Sequence, residues 1–305
     1  MLPYELVHEI LDYCGIGDLI RLGCTSRSHA TLARDYLQLR MHHNICRFCT
    51  DVYAFQKMLR SCHSVVSGSA ALHILLPAKT MTWVPADLDI YVAFGNFHRL
   101  MTMLQDQNYH LIHQGSTNLN SYSFSCIRTV ATFTNSLQQI HVVVSKMAAS
   151  ISPILQFHST AVMNFFGVDD IFSAYPALTL QMLSKINPAR LYFGRFRHAT
   201  ISALWKYAER GFRYTSCESG HQSKYTCKSI VRNLTDAGCM WIDLKGLPHV
   251  STTSLTLFKR YGFMDVEWVL GGMVCGSQSA FLDAHMHVVQ DQSCVTLLQS
   301  TRISD

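Results

Sequence analysis

The chain is expected to fold as an α+β protein, and three features of its 305 residues predict this. Residues 1–45 repeat apolar side chains at helical spacing, whereas the middle of the chain alternates short helical stripes with β-branched runs. With 49% hydrophobic and 15% charged residues, there is apolar material for one large core or two domains. The expected organisation is a short helical segment over 1–45 and a mixed sheet with packed helices over 46–215. A C-terminal extension or small subdomain follows over 216–305.

Each element has its own justification. Pro3 suits a first helical turn, and Leu6, Ile10 and Leu11 then follow a helical repeat. Gly15 and Gly17 break that helix, and Asp18 is expected to cap the next. Thr25 or Ser26 caps a third, predicted from Ser28 to His42, with Ala30, Ala33, Leu37 and Met41 apolar. After Val66-Ser67-Gly68-Ser69, the run Ala70 to Leu76 predicts a short buried helix that Pro77 stops. Trp83 to Ala86 then leads into a strand over Leu88 to Val92. Phe97 to Leu104 predicts a helix and Tyr109 to Ile112 a strand. Ile127 to Thr134 is expected to pair with Gln138 to Ser145 as a hairpin. Tyr175 to Leu180 is expected to lead into a helix bearing Met182, Leu183 and Ile186. Ile201, Leu204, Trp205 and Ala208 define the apolar face of another helix, ended by Gly211. Gly238 to Leu244 and Asp265 to Leu270 predict two late strands, which extend the sheet or form a satellite.

The chemistry centres on Gly68-Ser69 and Asp87-Leu88-Asp89. Side chains alternate along a strand, so Asp87 and Asp89 project from one face about 6 to 7 Å apart, an edge suited to a divalent cation. Amides at the start of the Gly68-Ser69 helix point at where phosphates of a metal-bound nucleotide would lie. Val66-Ser67-Gly68-Ser69 followed by Asp87-Leu88-Asp89-Ile90-Tyr91-Val92 resembles the nucleotidyltransferase superfamily. That resemblance implies Asp87 and Asp89 as catalytic ligands of Mg²⁺ and Gly68 and Ser69 as nucleotide-binding residues. The reaction implied moves a nucleoside monophosphate to an acceptor. It also implies a third carboxylate from a neighbouring strand, completing a two-metal site. The strand expected to supply it is Gln138 to Val144, where the corresponding position is His141. Neutral imidazole suits Mg²⁺ poorly, so His141 is expected to be a hydrogen-bonded strand residue. Asp169 and Asp170 fall in what reads as a loop and are poor substitutes. Three readings therefore stand: a degenerate binding module, an active transferase whose third acid lies elsewhere, and a structural domain with a vestigial motif.

A second resemblance starts at the N-terminus. Leu2-Pro3-Tyr4-Glu5-Leu6, Asp18-Leu19-Ile20-Arg21-Leu22 and Thr25-Ser26-Arg27 fall in the register of an F-box. The resemblance implies an adaptor subunit of a cullin-based ubiquitin ligase as partner, with Leu2, Pro3, Leu6, Ile10, Leu11, Leu19 and Leu22 as docking candidates. So short a segment cannot bury all its Leu and Ile by itself. The alternative is that these helices pack on the larger domain of the same chain. As a whole the chain resembles fungal proteins that pair an F-box-like start with a Ser-Gly-Ser and Asp-Leu-Asp-Ile-Tyr core. The favoured function is that of a ubiquitin-ligase substrate adaptor carrying a degenerate nucleotidyltransferase-like domain. The alternative is an active, metal-dependent transferase.

Composition bounds the rest. Neither a signal peptide nor a membrane span is expected, which predicts a soluble cytoplasmic or nuclear protein with no membrane partner. The eleven cysteines are then expected as reduced thiols. Cys46 and Cys49 have the gap of a zinc knuckle, but His42 and His43 lie too close to complete it. Cys217, His221, Cys227 and Cys239 match no zinc spacing. Between Lys185 and Arg232, ten basic residues including Lys206 and Arg210 stand among aromatics, against two acids. Helical periodicity assigns most of those aromatics to a core. With a net charge of +5, nucleic acid is not expected as a partner.

Overall fold

The computed structural model describes residues 3–116, 125–135, 138–187, 198–215, 231–245, 253–263, 266–270 and 288–291. Four helices come first: α1 (Tyr4–Asp12), α2 (Ile16–Gly23), α3 (Arg27–Cys46) and α4 (Val52–Ser61). Pro3 stands just before α1, and Ser26 caps α3 by accepting from the His29 amide. The cap of α2 is Gly15 rather than Asp18. Asp18 sits three residues inside the helix, and its carboxylate accepts the Gly15 N–H at 3.0 Å. Gly15 still breaks the chain between helices, whereas Gly17 lies within α2.

The core continues through β1 (Val65–Ser67), α5 (Gly68–Leu75), β2 (Leu88–Ala93), α6 (Phe94–Gln105), β3 (His110–Ser116), β4 (Ile127–Thr134) and β5 (Gln139–Ser145). Then come β6 (Asn164–Phe166), β7 (Asp170–Ser173), α7 (Pro176–Thr179), β8 (Leu183–Lys185), α8 (His198–Glu209), β9 (Arg213–Thr215), β10 (Val231–Asn233), β11 (Met240–Asp243), α9 (Ser254–Tyr261), β12 (Val266–Val269) and β13 (Val288–Asp291). Eight strands form one sheet in the order β11-β7-β6-β1-β2-β5-β4-β3. Within it β2 and β5 run parallel and every other pair is antiparallel. This is the predicted α+β class, with a mixed sheet. β11 extends that sheet at one edge, while β10, β12 and β13 form a separate small one.

Two elements differ from expectation. After Pro176 the helix lasts only one turn, because the chain turns at Met182 (φ 57°) and Leu183–Lys185 pairs with β9 as a parallel strand. In α8 the buried stripe is Leu204 and Tyr207, so Ile201 and Trp205 face outward.

The sheet separates two apolar layers. On one face Leu88, Ile90, Val92, Ile140, Val142 and Val144 join one cluster with Leu11, Ile16, Leu19, Tyr36, Leu37, Met41 and Ile45. The N-terminal helices therefore share a core with the sheet. On the other face Tyr91, Val143, Phe165, Phe172 and Trp241 pack with Leu257, Tyr261, Phe263 and Trp268.

A buried arginine ties the two parts together. Arg40 of α3 donates from Nη2 to the carbonyl oxygens of His73 (2.9 Å) and Leu76 (2.6 Å). In an unbroken helix the His73 carbonyl would accept from residue 77, but Pro77 has no N–H. Arg40 supplies the missing donor and places positive charge at the helix C-terminus, where the dipole favours it. No helix among the described residues is long and apolar enough to cross a membrane.

Candidate functional site

Four central strands set a polar row across the sheet. The register aligns Ser67 with Asp89, Asp89 with His141, and His141 with Thr132. Side chains aligned in this way share a face. The Ser67 hydroxyl donates to the Asn164 carbonyl oxygen at 2.5 Å. His141 Nδ1 lies 3.1 Å from Thr132 Oγ1, and its Nε2 lies 3.8 Å from Asp87 Oδ2. His141 is thus a hydrogen-bonded strand residue, as expected, and it also stands beside the acid pair. Asp87 immediately precedes β2 and belongs to the same face as Asp89.

Gly68 makes the row possible. It opens α5 with φ +68°, a conformation that side chains rarely adopt, and a Cβ there would overlap the Asp89 carboxylate. Ser69 follows as a buried residue of the same helix. The motif glycine thus faces the motif acid across about 20 residues of sequence.

Electrostatics sets the state of the acids. Burial, reinforced by Asp87 and partly offset by Lys206, lifts the Asp89 carboxyl to about 7. Tyr207, on the buried face of α8, feels both carboxylates, and its phenol is raised chiefly by burial. The Arg210 guanidinium lies 3.9 Å from the Trp83 ring centroid and 5.1 Å from that of Tyr207, within electrostatic reach of Asp87. Lys206, Tyr207, Arg210 and Trp83 were not placed at the site from sequence. The only signal for them was that three of the four lie in the basic, aromatic run after Lys185.

These residues do not fit a two-metal centre. The residue aligned with Asp89 on the neighbouring strand is His141 rather than an acid, and no group of three or more His, Cys, Asp or Glu is arranged to hold an ion among the described residues. The remaining acids are engaged elsewhere. Asp169 pairs with Arg60 and Lys245, which hold its carboxyl below the usual range. Asp170 is bound by Arg260 and the Tyr261 hydroxyl, and burial raises its carboxyl. Asp169 lies in the turn between β6 and β7, while Asp170 opens β7. What the site offers is a half-buried carboxyl poised near neutrality, a partly buried imidazole, and a cation stacked on aromatic rings.

The cysteine clusters make no zinc site among the described residues. Cys46 is exposed, while Cys49 is buried, donates its S–H to the Ile45 carbonyl oxygen, and has its thiol pushed up to about 12 by burial. Cys239 is also buried, and Cys217, His221 and Cys227 lie outside the described residues. The basic run is dispersed too: Arg232 is paired with Asp236 and Lys185 is buried.

A second surface lies on α1. Pro3 is exposed, and Leu6 and Ile10 are 47% and 53% exposed, with Tyr4 and Tyr13 beside them. Leu11 (3%) and Leu19 (0%) correct the docking set, because they face the shared core. Leu22 is half-buried against that core, and Leu2 lies outside the described residues. One face of these helices packs on the chain's own sheet, and Leu6 and Ile10 of α1 are exposed among the described residues.

The family model that matches the chain is the F-box domain, over residues 1–35. No curated protein and no solved structure matches it. Residues 1–35, which hold α1, α2 and the start of α3, thus match an F-box domain, and the rest of the chain is described by its own geometry.

Proposed function

We propose that the chain is a substrate adaptor of a cullin-based ubiquitin ligase, with α1 as the docking face and the sheet domain as the part that meets a target. The observation that carries this is the split of α1 within the F-box match. Leu11 is sealed in the core, while Leu6 and Ile10 remain open, about half exposed among the described residues. An open apolar face on a helix anchored by Leu11 suits helix-to-protein docking. Leu6→Asp/Ile10→Asp should abolish capture by the purified adaptor subunit while leaving the circular dichroism spectrum unchanged, since neither side chain supports the core. Equal capture by wild type and variant would remove this reading.

A second reading, a metal-dependent nucleotidyltransferase, is favoured by the packing of Gly68 against Asp89 and by Asp87 and Asp89 sharing one face of the sheet. Calorimetry with each nucleoside triphosphate and Mg²⁺ or Mn²⁺ tests it. On the degenerate reading that we favour, no metal-dependent binding is seen. Saturable binding that is lost in Asp87→Asn/Asp89→Asn would instead support a working nucleotide site.

A further inference from the structure

We propose that Arg40, Arg47 and Arg210, gathered about His73, form an anion site for a phosphate group, between α3, the C-terminal half of α5 and the end of α8. It lies apart from the adaptor face and depends on neither reading above.

The first observation is like charge brought together without an ion pair. All three guanidiniums act on His73, and with burial as the larger cause they drive its imidazole down to about 4. None of them makes an ion pair among the described residues. The acids that act on them are engaged with other groups: Asp12, which acts on Arg40, accepts from the Tyr36 hydroxyl at 2.6 Å, and Asp87, which acts on Arg210, faces His141.

The second observation is a set of buried donors without acceptors. Arg40 is 6% exposed, and while its Nη2 serves two α5 carbonyls, its Nη1 is buried with no partner. Arg210 Nη1 and His73 Nδ1 are likewise buried and unpartnered. The Trp83 ring links the last two, lying 5.5 Å from the His73 ring and 3.9 Å from the Arg210 guanidinium. Arg47 is exposed and acts on the His73 imidazole. A buried charged donor left unmet costs more than a neutral one, and guanidinium forks match the oxygens of a phosphate. The neutral imidazole can place its proton on Nδ1 and complete the set.

The test is calorimetry on the full chain in EDTA, titrating inorganic phosphate in one arm and AMP in the other, with chloride at equal ionic strength as control. Excluding metal keeps the outcome separate from any metal-dependent event at Asp87 and Asp89. Saturable binding is expected, with preference for phosphate or for AMP telling a free anion from an ester. Arg47→Gln, on the exposed side and harmless to folding, should weaken it about tenfold, and Arg210→Gln by as much or more. Asp87→Asn should leave it unchanged or tighter. Bound phosphate should also raise the His73 imidazole titration followed by NMR. Flat heats in both arms, equal affinity in Arg47→Gln and Arg210→Gln, or a crystal grown in phosphate with only ordered water on the two free Nη1 atoms would each overturn the proposal.

Discussion

Gly68→Ala should destabilise the protein by about 2–4 kcal/mol, from left-handed strain and forced overlap together. The φ of +68° is costly for any residue with a Cβ, and the new methyl would meet the Asp89 carboxylate, which cannot retreat within the packed sheet. The two contributions can be separated. Truncating the acid in Gly68→Ala/Asp89→Ala removes the overlap and leaves the strain, so the double variant should recover about 1 kcal/mol or more relative to additivity. Urea unfolding of the four proteins checks this. Simple additivity would mean that glycine and acid do not touch, and a cost near zero for Gly68→Ala would deny the left-handed turn.

The second large effect is a pair of opposed pH dependences hidden in the wild type. The His73 pKa is lowered from 6.5 to about 4 on folding, so its contribution is complete above 6.5 and is lost as pH falls towards 4. The Asp89 pKa is raised from 3.8 to about 7, so its contribution is complete below 3.8 and is lost as pH rises through 7. The His73 swing is about 3 kcal/mol and the Asp89 swing about 4 kcal/mol, and over their shared window the two largely cancel. Wild-type stability should therefore change little between pH 4 and 6.5 on account of these two groups. Asp89→Asn should show the His73 slope alone, losing stability on acidification, and should exceed wild type above pH 7. His73→Phe should do the reverse and gain stability on acidification. Asp170 titrates with the sign of Asp89 but equally in all three proteins, and the lowered Asp169 and Asp236 act below 3.8. Chemical denaturation across that window decides, and parallel curves for the three proteins would contradict it.

Much of this was legible because the local signals were strong. Gly68 and Pro77 bracket a run of small and branched residues too short and too apolar to be anything but a buried helix, and that is α5. The alternation of Ile127 to Thr134 predicts the hairpin with Gln138 to Ser145, and β4 pairs with β5 antiparallel. Other parts depended on contacts far apart in sequence. No helix was expected over Val52–Ser61, although Asp51 caps it and Val52, Phe55, Met58 and Leu59 fall on one face. That signal was present and overlooked. The short strand at Leu183–Lys185 exists only because β9 comes alongside, which no local periodicity encodes. Burial of Leu11 and Leu19 is equally invisible locally: an amphipathic helix shows its apolar stripe, not whether the stripe meets the chain's own sheet or a partner. The same holds for Lys206, Tyr207, Arg210 and Trp83, which reach the acid pair only through the return of α8.

The Arg40 tie between α3 and α5 bears on reach. With helices and sheet locked by one side chain and a common core, a target seated on the sheet would be carried at a fixed bearing from α1, like a load on a bracket rather than on a cord. Only acceptor lysines within one sector of the target would then swing under the transferring enzyme, and the modified positions should cluster on one side of it.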